Sequence, residues 1–332
     1  MNKRKDFSWF PGNLPHTEDS MGAKSILRTA DDYILCNECG TQYPLTEDAG
    51  KDECKDPRQY VPATGQAFTT LAKLRAKGHK NVWYHYSKNR NVWWVRTEPQ
   101  FAIGERAELI ITPSGNVLWD LIPFLDQETV DKINWIGGLK AIVISHPHYY
   151  STWADWSRTF ECPVFVGAPD ESWIECRDTP GADIRLLSDV YTPILPGVIP
   201  GVTAILVGGH FPGSLLLHWD GILFNADTFF TVPSGTNPVP GKPGVQSFSF
   251  FWSIPNRIPM HPDDILGIWH KVKSLHFHTC MGAFKGQDVR TLDNERERGT
   301  GGVKGRLLES CKIFVKATGW KEDQHAIFAE TL

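Results

Sequence analysis

The sequence has no run of about 18 consecutive apolar residues, the length a helix needs to cross a bilayer, so no membrane span is expected. It has no N-x-S/T acceptor site. Its start, MNKRKDFSWF, carries the charge of a signal peptide but no apolar segment behind it. Basic charge is not in excess: the net charge is −4, which gives no reason to expect nucleic acid or an anionic membrane as partner. There is no repeat and no low-complexity tract. GTGGVKGR near the end lacks the G-K-[ST] of a phosphate loop, and its glycines are not spaced G-x-G-x-x-G. The seven cysteines are odd in number and scattered except for one cluster, which suits a reducing compartment better than a disulfide framework. These absences describe a cytoplasmic protein acting on a small molecule, with the oligomeric state open.

What is present is a chain of 332 residues, 41 % apolar, able to bury a sizeable core. Strand patterns dominate. NVWYHY and NVWWV flank SKNR, and AELIIT and NVLWDL flank the turn PSGN. DQETVDKINWIGG reads as a helix, LKAIVIS as a buried strand, and STWADWSRTF as a helix with Ser151 as N-cap. PVFVG, IRLLS, VTAILVG and the pair SLLLHW–GILFNA add strands. QAFTTLAKLRAK, PDDILGIWHKVK and GGVKGRLLESCKIFVKAT read as helices, and SLHFHTC as a late strand. Segment 231–262, rich in Pro, Gly, Ser and aromatics, reads as a long functional loop. The order predicts an α+β protein in which two sheets pack face to face with helices outside.

Three short stretches carry chemistry. In ISHPHYYSTW, His146 and His148 follow the strand LKAIVIS directly. In VTAILVGGHFPGS, His210 follows a second apolar strand, with Gly208 and Gly209 allowing close backbone approach. In GILFNADTF, Asp227 follows a third apolar run that would normally exclude a carboxylate. Loops just past strand ends project into the crevice where α/β proteins place their sites. Three imidazoles and one carboxylate, each at a strand end, form a ligand set that zinc accepts; iron and manganese accept it too.

This order of motifs resembles the metallo-β-lactamase superfamily of hydrolases over about residues 100–285. The family's first motif is H-x-H-x-D-H, whose first two histidines match His146 and His148. Its next ligand histidine matches His210, and its bridging aspartate matches Asp227. The sequence departs from the pattern where Tyr150 and Ser151 replace Asp and His, and the last family histidine has no clear counterpart among His276 and His278. HPHYYS, a cysteine-bearing N-terminal segment and DPRQYVP together resemble a subgroup of the superfamily. The resemblance implies an αβ/βα sandwich of two mixed sheets over 66–332, preceded by an arm, 1–65, that carries the cysteines. It implies one active-site metal, zinc by preference, on His146, His148 and His210, with Asp227 as fourth ligand or as base beside it. Tyr149 and Tyr150 are then candidate donors to an oxyanion.

CNECGTQYPLTEDAGKDEC holds the second cluster. Cys36-x-x-Cys39 has the spacing of a zinc knuckle, and Cys54 could join it, with His16 or an acid as fourth ligand. Free, reduced thiols are the alternative. Phe211, Phe229, Phe250, Phe251 and Trp252 are candidate pocket walls. The leading expectation is a metallo-hydrolase opening a small lactone or lactam of an aromatic or apolar compound. A thioesterase on a carrier-bound acyl chain, a mononuclear iron oxidoreductase and a metal-braced, non-catalytic binding protein are the alternatives.

Overall fold

The computed structural model describes residues 24–237 and 245–332. His16 of the sequence reading, with the first 23 residues of the N-terminal arm, lies outside these residues. None of the described helices is long and apolar enough to cross a membrane.

Two short strands come first: β1 (Ile34–Cys36) pairs antiparallel with β2 (Phe68–Thr70). The helix expected over QAFTTLAKLRAK is shortened as a result. Phe68-Thr69-Thr70 extends to join β1, and α1 (Leu71–Ala76) starts only where Thr70 caps it by accepting from Lys73 N at 3.2 Å.

A seven-stranded sheet follows in chain order: β3 (Lys80–His85), β4 (Val92–Glu98), β5 (Ala107–Ile110), β6 (Val117–Trp119), β7 (Ala141–Val143), β8 (Val164–Gly167) and β9 (Ile184–Leu187). The first four strands are antiparallel hairpins, as their turn residues direct. From β6 onward the strands run parallel. Parallel neighbours need crossovers, and α2 (Gln127–Ile136) and α3 (Trp153–Phe160) supply them. Asp126 caps α2 through Thr129 N, and Gly137 ends it at φ +112°. Ser151 does not cap α3: it sits at φ +49°, and Thr152 takes the cap position with its hydroxyl turned to Pro123 O.

The second sheet has six strands in the order β10 (Tyr191–Pro193), β11 (Thr203–Leu206), β12 (Leu215–Trp219), β13 (Ile222–Phe224), β18 (Thr279–Met281) and β19 (Asp288–Arg290). Its pleat sorts side chains by alternation. Ala204, Leu215, Leu217, Ile222, Phe224 and Met281 join the core shared with the first sheet. Ile205, Leu216, Leu223, Cys280 and Val289 join a second core with α5 (Pro262–Val272) and α7 (Gly302–Ala317). Helices therefore cover the far side of the second sheet, and α2 and α3 pack with the first. The result is the αβ/βα sandwich of two mixed sheets. At one edge the layers touch directly: Leu215 N donates to Ser145 O at 2.8 Å.

Segment 231–262 is more ordered than expected in its described part. It contains the pair β14 (Phe230–Thr231) and β15 (Phe248–Ser249), the pair β16 (Phe251–Ser253) and β17 (Ile258–Pro259), and the single turn α4 (Pro233–Thr236). SLHFHTC is strand only from Thr279: Ser274 lies in the turn after α5, and 275–278 join no ladder; α6 (Asp293–Arg298) leads into α7.

Candidate metal centre

The centre lies where strands of both sheets end. His146 follows β7, and His148 sits in the single 3-10 turn Pro147–Tyr149. His210 follows β11, past Gly208 and Gly209 at φ +75° and +89°. A Cβ on Gly209 would come within 2.9 Å of Ile268 and Met260, so only glycine fits there. Asp227 follows β13. All four are buried, at 1, 7, 1 and 4 % exposure respectively. One donor atom from each converges with the others within 4.8 Å.

Each imidazole has its outer nitrogen occupied, which decides the atom it turns inward. His146 Nδ1 lies 2.8 Å from Ser145 Oγ, leaving Nε2. His148 Nε2 bonds Asp56 Oδ2, leaving Nδ1. His210 Nδ1 donates to Phe251 O at 2.8 Å, leaving Nε2. Outer partners of this kind fix ring orientation and tautomer at metal sites. The inner atoms are spaced accordingly: His210 Nε2 is 3.5 Å from His148 Nδ1, and His146 Nε2 is 3.5 Å from Asp227 Oδ2. Donors about 2.1 Å from a tetrahedral zinc stand roughly 3.4 Å apart.

Electrostatics agree with this arrangement. Burial, with repulsion from His148 and Arg58, holds His146 well below the usual histidine pKa. Burial, His146 and His148 do the same for His210. These rings are therefore neutral, the form that ligates. His146 Nε2 and Asp227 Oδ1 have no hydrogen-bond partner among the described residues, an expensive condition for buried polar atoms unless a cation satisfies them. The residues present thus fit a single metal ion.

Tyr149 is committed to the centre differently from the oxyanion role expected of it. Its hydroxyl donates to Asp227 Oδ2 at 2.9 Å, and burial together with Asp227 keeps it protonated. Tyr150 is buried, its hydroxyl without a partner among the described residues, and burial with Asp170 raises its pKa. Phe211 packs against all three imidazoles, with ring centroids 4.9–5.5 Å away. Phe251 meets the centre through its carbonyl, and Trp252 stays 43 % exposed above Arg58. Phe229 and Phe250 lie instead in the second core, where Phe250 meets Phe314 of α7. His276 and His278 are remote from the cluster, beside His218 and Gly221.

Four residues belong to the centre without having been singled out from the sequence. Asp56 holds His148, and His148 together with Arg58 outweighs burial to keep its carboxyl below the usual range. Arg58 pairs with Asp56, donates to His210 O at 2.9 Å and stacks 3.6 Å from the Phe211 ring centroid. Asp120, just past β6, accepts from Ser145 N at 2.7 Å and so shapes the turn bearing His146. Glu105 is fully buried, and it and Asp120 are each pushed up to about 8, chiefly by burial. Asp120 carried the same signal as Asp227, an acid directly after an apolar run.

Two cavities are relevant to access. One of about 20 Å³ reaches the centre, lined by Cys39, Cys54, Asp56 and His148 among others. Another, of about 410 Å³, lies between Lys80, Arg96, Glu98 and Gln100 and shares no residue with the histidines. The smaller one touches the chemistry.

No family model matches the chain. Among solved structures, the DIM-1 metallo-β-lactamase is similar with a TM-score of 0.48 at 11 % identity, covering 72 % of this chain and 98 % of that one. The mono-zinc form of the FIM-1 metallo-β-lactamase from Pseudomonas aeruginosa gives 0.46 at 11 %, covering 72 % and 97 %. The structure has the α+β sandwich of two mixed sheets flanked by helices that the order of elements led us to expect. At the level of sequence, the uncharacterized protein YmaE of Bacillus subtilis (strain 168) is 37 % identical over 275 residues, covering 80 % of this chain and 93 % of that protein. On this evidence the chain belongs to the same family as YmaE.

Proposed function

We propose that the protein is a metal-dependent hydrolase with one metal, zinc by preference, held by His146, His148, His210 and Asp227. The observation that carries this reading is the convergence of four buried donor atoms, three of them from imidazoles whose outer nitrogens are already occupied. When bound, such an ion acts as a Lewis acid and lowers the pKa of a coordinated water to about 7.

The chain's own groups divide the remaining work. Tyr149 donates to Asp227 Oδ2, the oxygen 3.5 Å from His146 Nε2, which orients the carboxylate and leaves Oδ1 to accept a proton from water. Asp56 and Ser145 keep the histidines in their ligating tautomers. Phe211 and Trp173, whose rings meet at 5.4 Å, give the centre an aromatic wall, and the net charge of −4 gives no reason to expect a polyanion. These features favour an uncharged cyclic ester or amide with an aromatic or apolar body. The buried centre admits such a molecule only when the cover formed by Arg58 and Trp252 moves aside.

The test is metal content by mass spectrometry for the native protein, His146→Ala and His210→Ala, with a panel of lactones, lactams and thioesters assayed with and without chelator. We expect near one ion per chain at this centre, lost in both variants, and lactone or lactam turnover that chelator abolishes. Native protein whose ion count is unchanged by either substitution would sink the reading. Chelator-insensitive turnover would sink its catalytic part.

A further inference from the structure

Outside the histidine centre, the described residues bring three more metal-binding side chains together. Cys36, Cys39 and Cys54 place their sulfurs within 4.8 Å of one another, and Cys39 Sγ is 3.5 Å from Cys54 Sγ. Thiolates about 2.3 Å from a tetrahedral zinc stand roughly 3.8 Å apart. The Cys36–Cys39 turn is folded as a metal knuckle requires. Gly40 N returns to Cys36 O at 2.9 Å, and Gly40 adopts φ +75°. A Cβ at Gly40 would strike Pro123 at 2.3 Å. Two donors converge on the Cys36 sulfur, Glu38 N at 3.4 Å and Gln66 Nε2 at 3.3 Å, as suits a thiolate acceptor. All seven cysteines are free, so no disulfide claims these three.

The cluster is also tied to the histidine centre. Cys54 lies two residues before Asp56 and four before Arg58 on one segment, and those two residues hold His148 and His210. The cavity of about 20 Å³ lies between Cys39, Cys54, Asp56 and His148, room for about one water. A three-thiolate ion could take its fourth ligand from that space.

We propose that Cys36, Cys39 and Cys54 bind a zinc ion, and that this ion braces the segment through which Asp56 and Arg58 hold the histidine centre. The soft donor set selects zinc over magnesium, calcium or manganese. The bracing half rests on the histidine centre proposed above, whereas the thiolate site does not.

The experiment loads the full chain with cobalt(II) and records the near-ultraviolet spectrum. The native protein should show thiolate-to-cobalt charge-transfer bands, and their absence overturns the proposal without need of any variant. The bands should persist in a His146→Ala/His210→Ala protein and vanish in Cys36→Ser/Cys39→Ser. Bands that survive the cysteine substitutions overturn the site. The cysteine variant, zinc-loaded, should surrender its remaining ion to chelator roughly tenfold faster, the lower end of what outer partners of metal ligands contribute. It should also show faster amide hydrogen exchange over 54–60. Bands lost with neither rate changed would overturn the bracing half. Bands present with no ion lost in the histidine variant would reject the histidine centre and leave the thiolate site standing. A Cys39–Cys54 disulfide mapped in protein purified under reductant would reject the thiolate site.

Discussion

Glu105 is the residue whose burial has the clearest measurable cost. Burial, with Asp120 and Asp227 nearby, moves its pKa from about 4.5 to about 8, and neither of its oxygens has a hydrogen-bond partner among the described residues. Between those two values the folded state holds a proton that the unfolded state has released. Stability of the metal-free protein should therefore fall as pH rises through this window, by up to about 1.4 kcal/mol per pH unit for each such group. Asp120 behaves alike, and Glu108 and Asp170 are raised as well, so Glu105→Gln should remove only its own share and leave a reduced slope. Urea unfolding midpoints measured across the window test this, and equal slopes in native and variant protein would refute it. The donors of the histidine centre could be read at this scale because each stands within a few residues of an apolar run that marks a strand end. Asp56 and Arg58 could not, since nothing local in DPRQYVP says that the segment folds back onto HPHYY. Glu105 could not either: a lone acid after glycine reads as a surface turn, and only the two sheets closing over it make it buried.

Among the elements, the strip Asp56–Tyr60 and strand β16 act together as the cover of the centre. Arg58 joins them, donating to Trp252 O at 3.3 Å while its own carbonyl accepts from Ser253 Oγ and Asn256 Nδ2. The fork of a guanidinium serves two carbonyls, a carboxylate and an aromatic face at once, which an ammonium cannot do. Arg58→Ala should raise hydrogen exchange in 251–259 and speed metal removal by chelator, with Arg58→Lys only partly restoring either. Exchange unchanged in the alanine variant would show that the cover is held by other contacts. Element prediction from sequence succeeded for the long periodic segments and failed for short pairs. β1, β2 and the hairpins of 230–259 have two or three residues per strand, too few for alternation to show. Phe229 and Phe250 looked like pocket walls because they stand near the centre in sequence. They lie in the second core instead, Phe250 against Phe314 of α7 and Phe229 against Phe248 and Phe250, and no pattern within the segment encodes that placement.

At the scale of the molecule, the two sheets are joined by a buried ionic group as well as by apolar packing. Arg106, just before β5, donates to Glu108 at 2.9 Å, to Gly282 O at 2.9 Å and to Asp288 at the start of β19. Removing one partner of a buried pair leaves the other charged and unsatisfied. Arg106→Met should cost about 3–5 kcal/mol of unfolding free energy, and adding Glu108→Gln should recover part of it. Urea unfolding of the single and double variants checks this, and a double variant no more stable than the single would refute the account. The sandwich was legible from the order of hairpins, crossovers and hairpins. The sheet-to-sheet link was not, because Arg106 in isolation reads as one more exposed arginine in a charged turn.

The backbone hydrogen bond from Leu215 N to Ser145 O has a mechanical consequence. Ser145 immediately precedes His146, and Leu215 begins the strand that follows the His210 loop. The spacing of the donors is therefore indexed to the point where the layers are pinned, and loop length elsewhere does not set it. A change that slides one layer against the other pivots about this pin and carries both histidine-bearing turns together. The sandwich thus holds the two histidine-bearing turns like the jaws of a vice clamped at one gap.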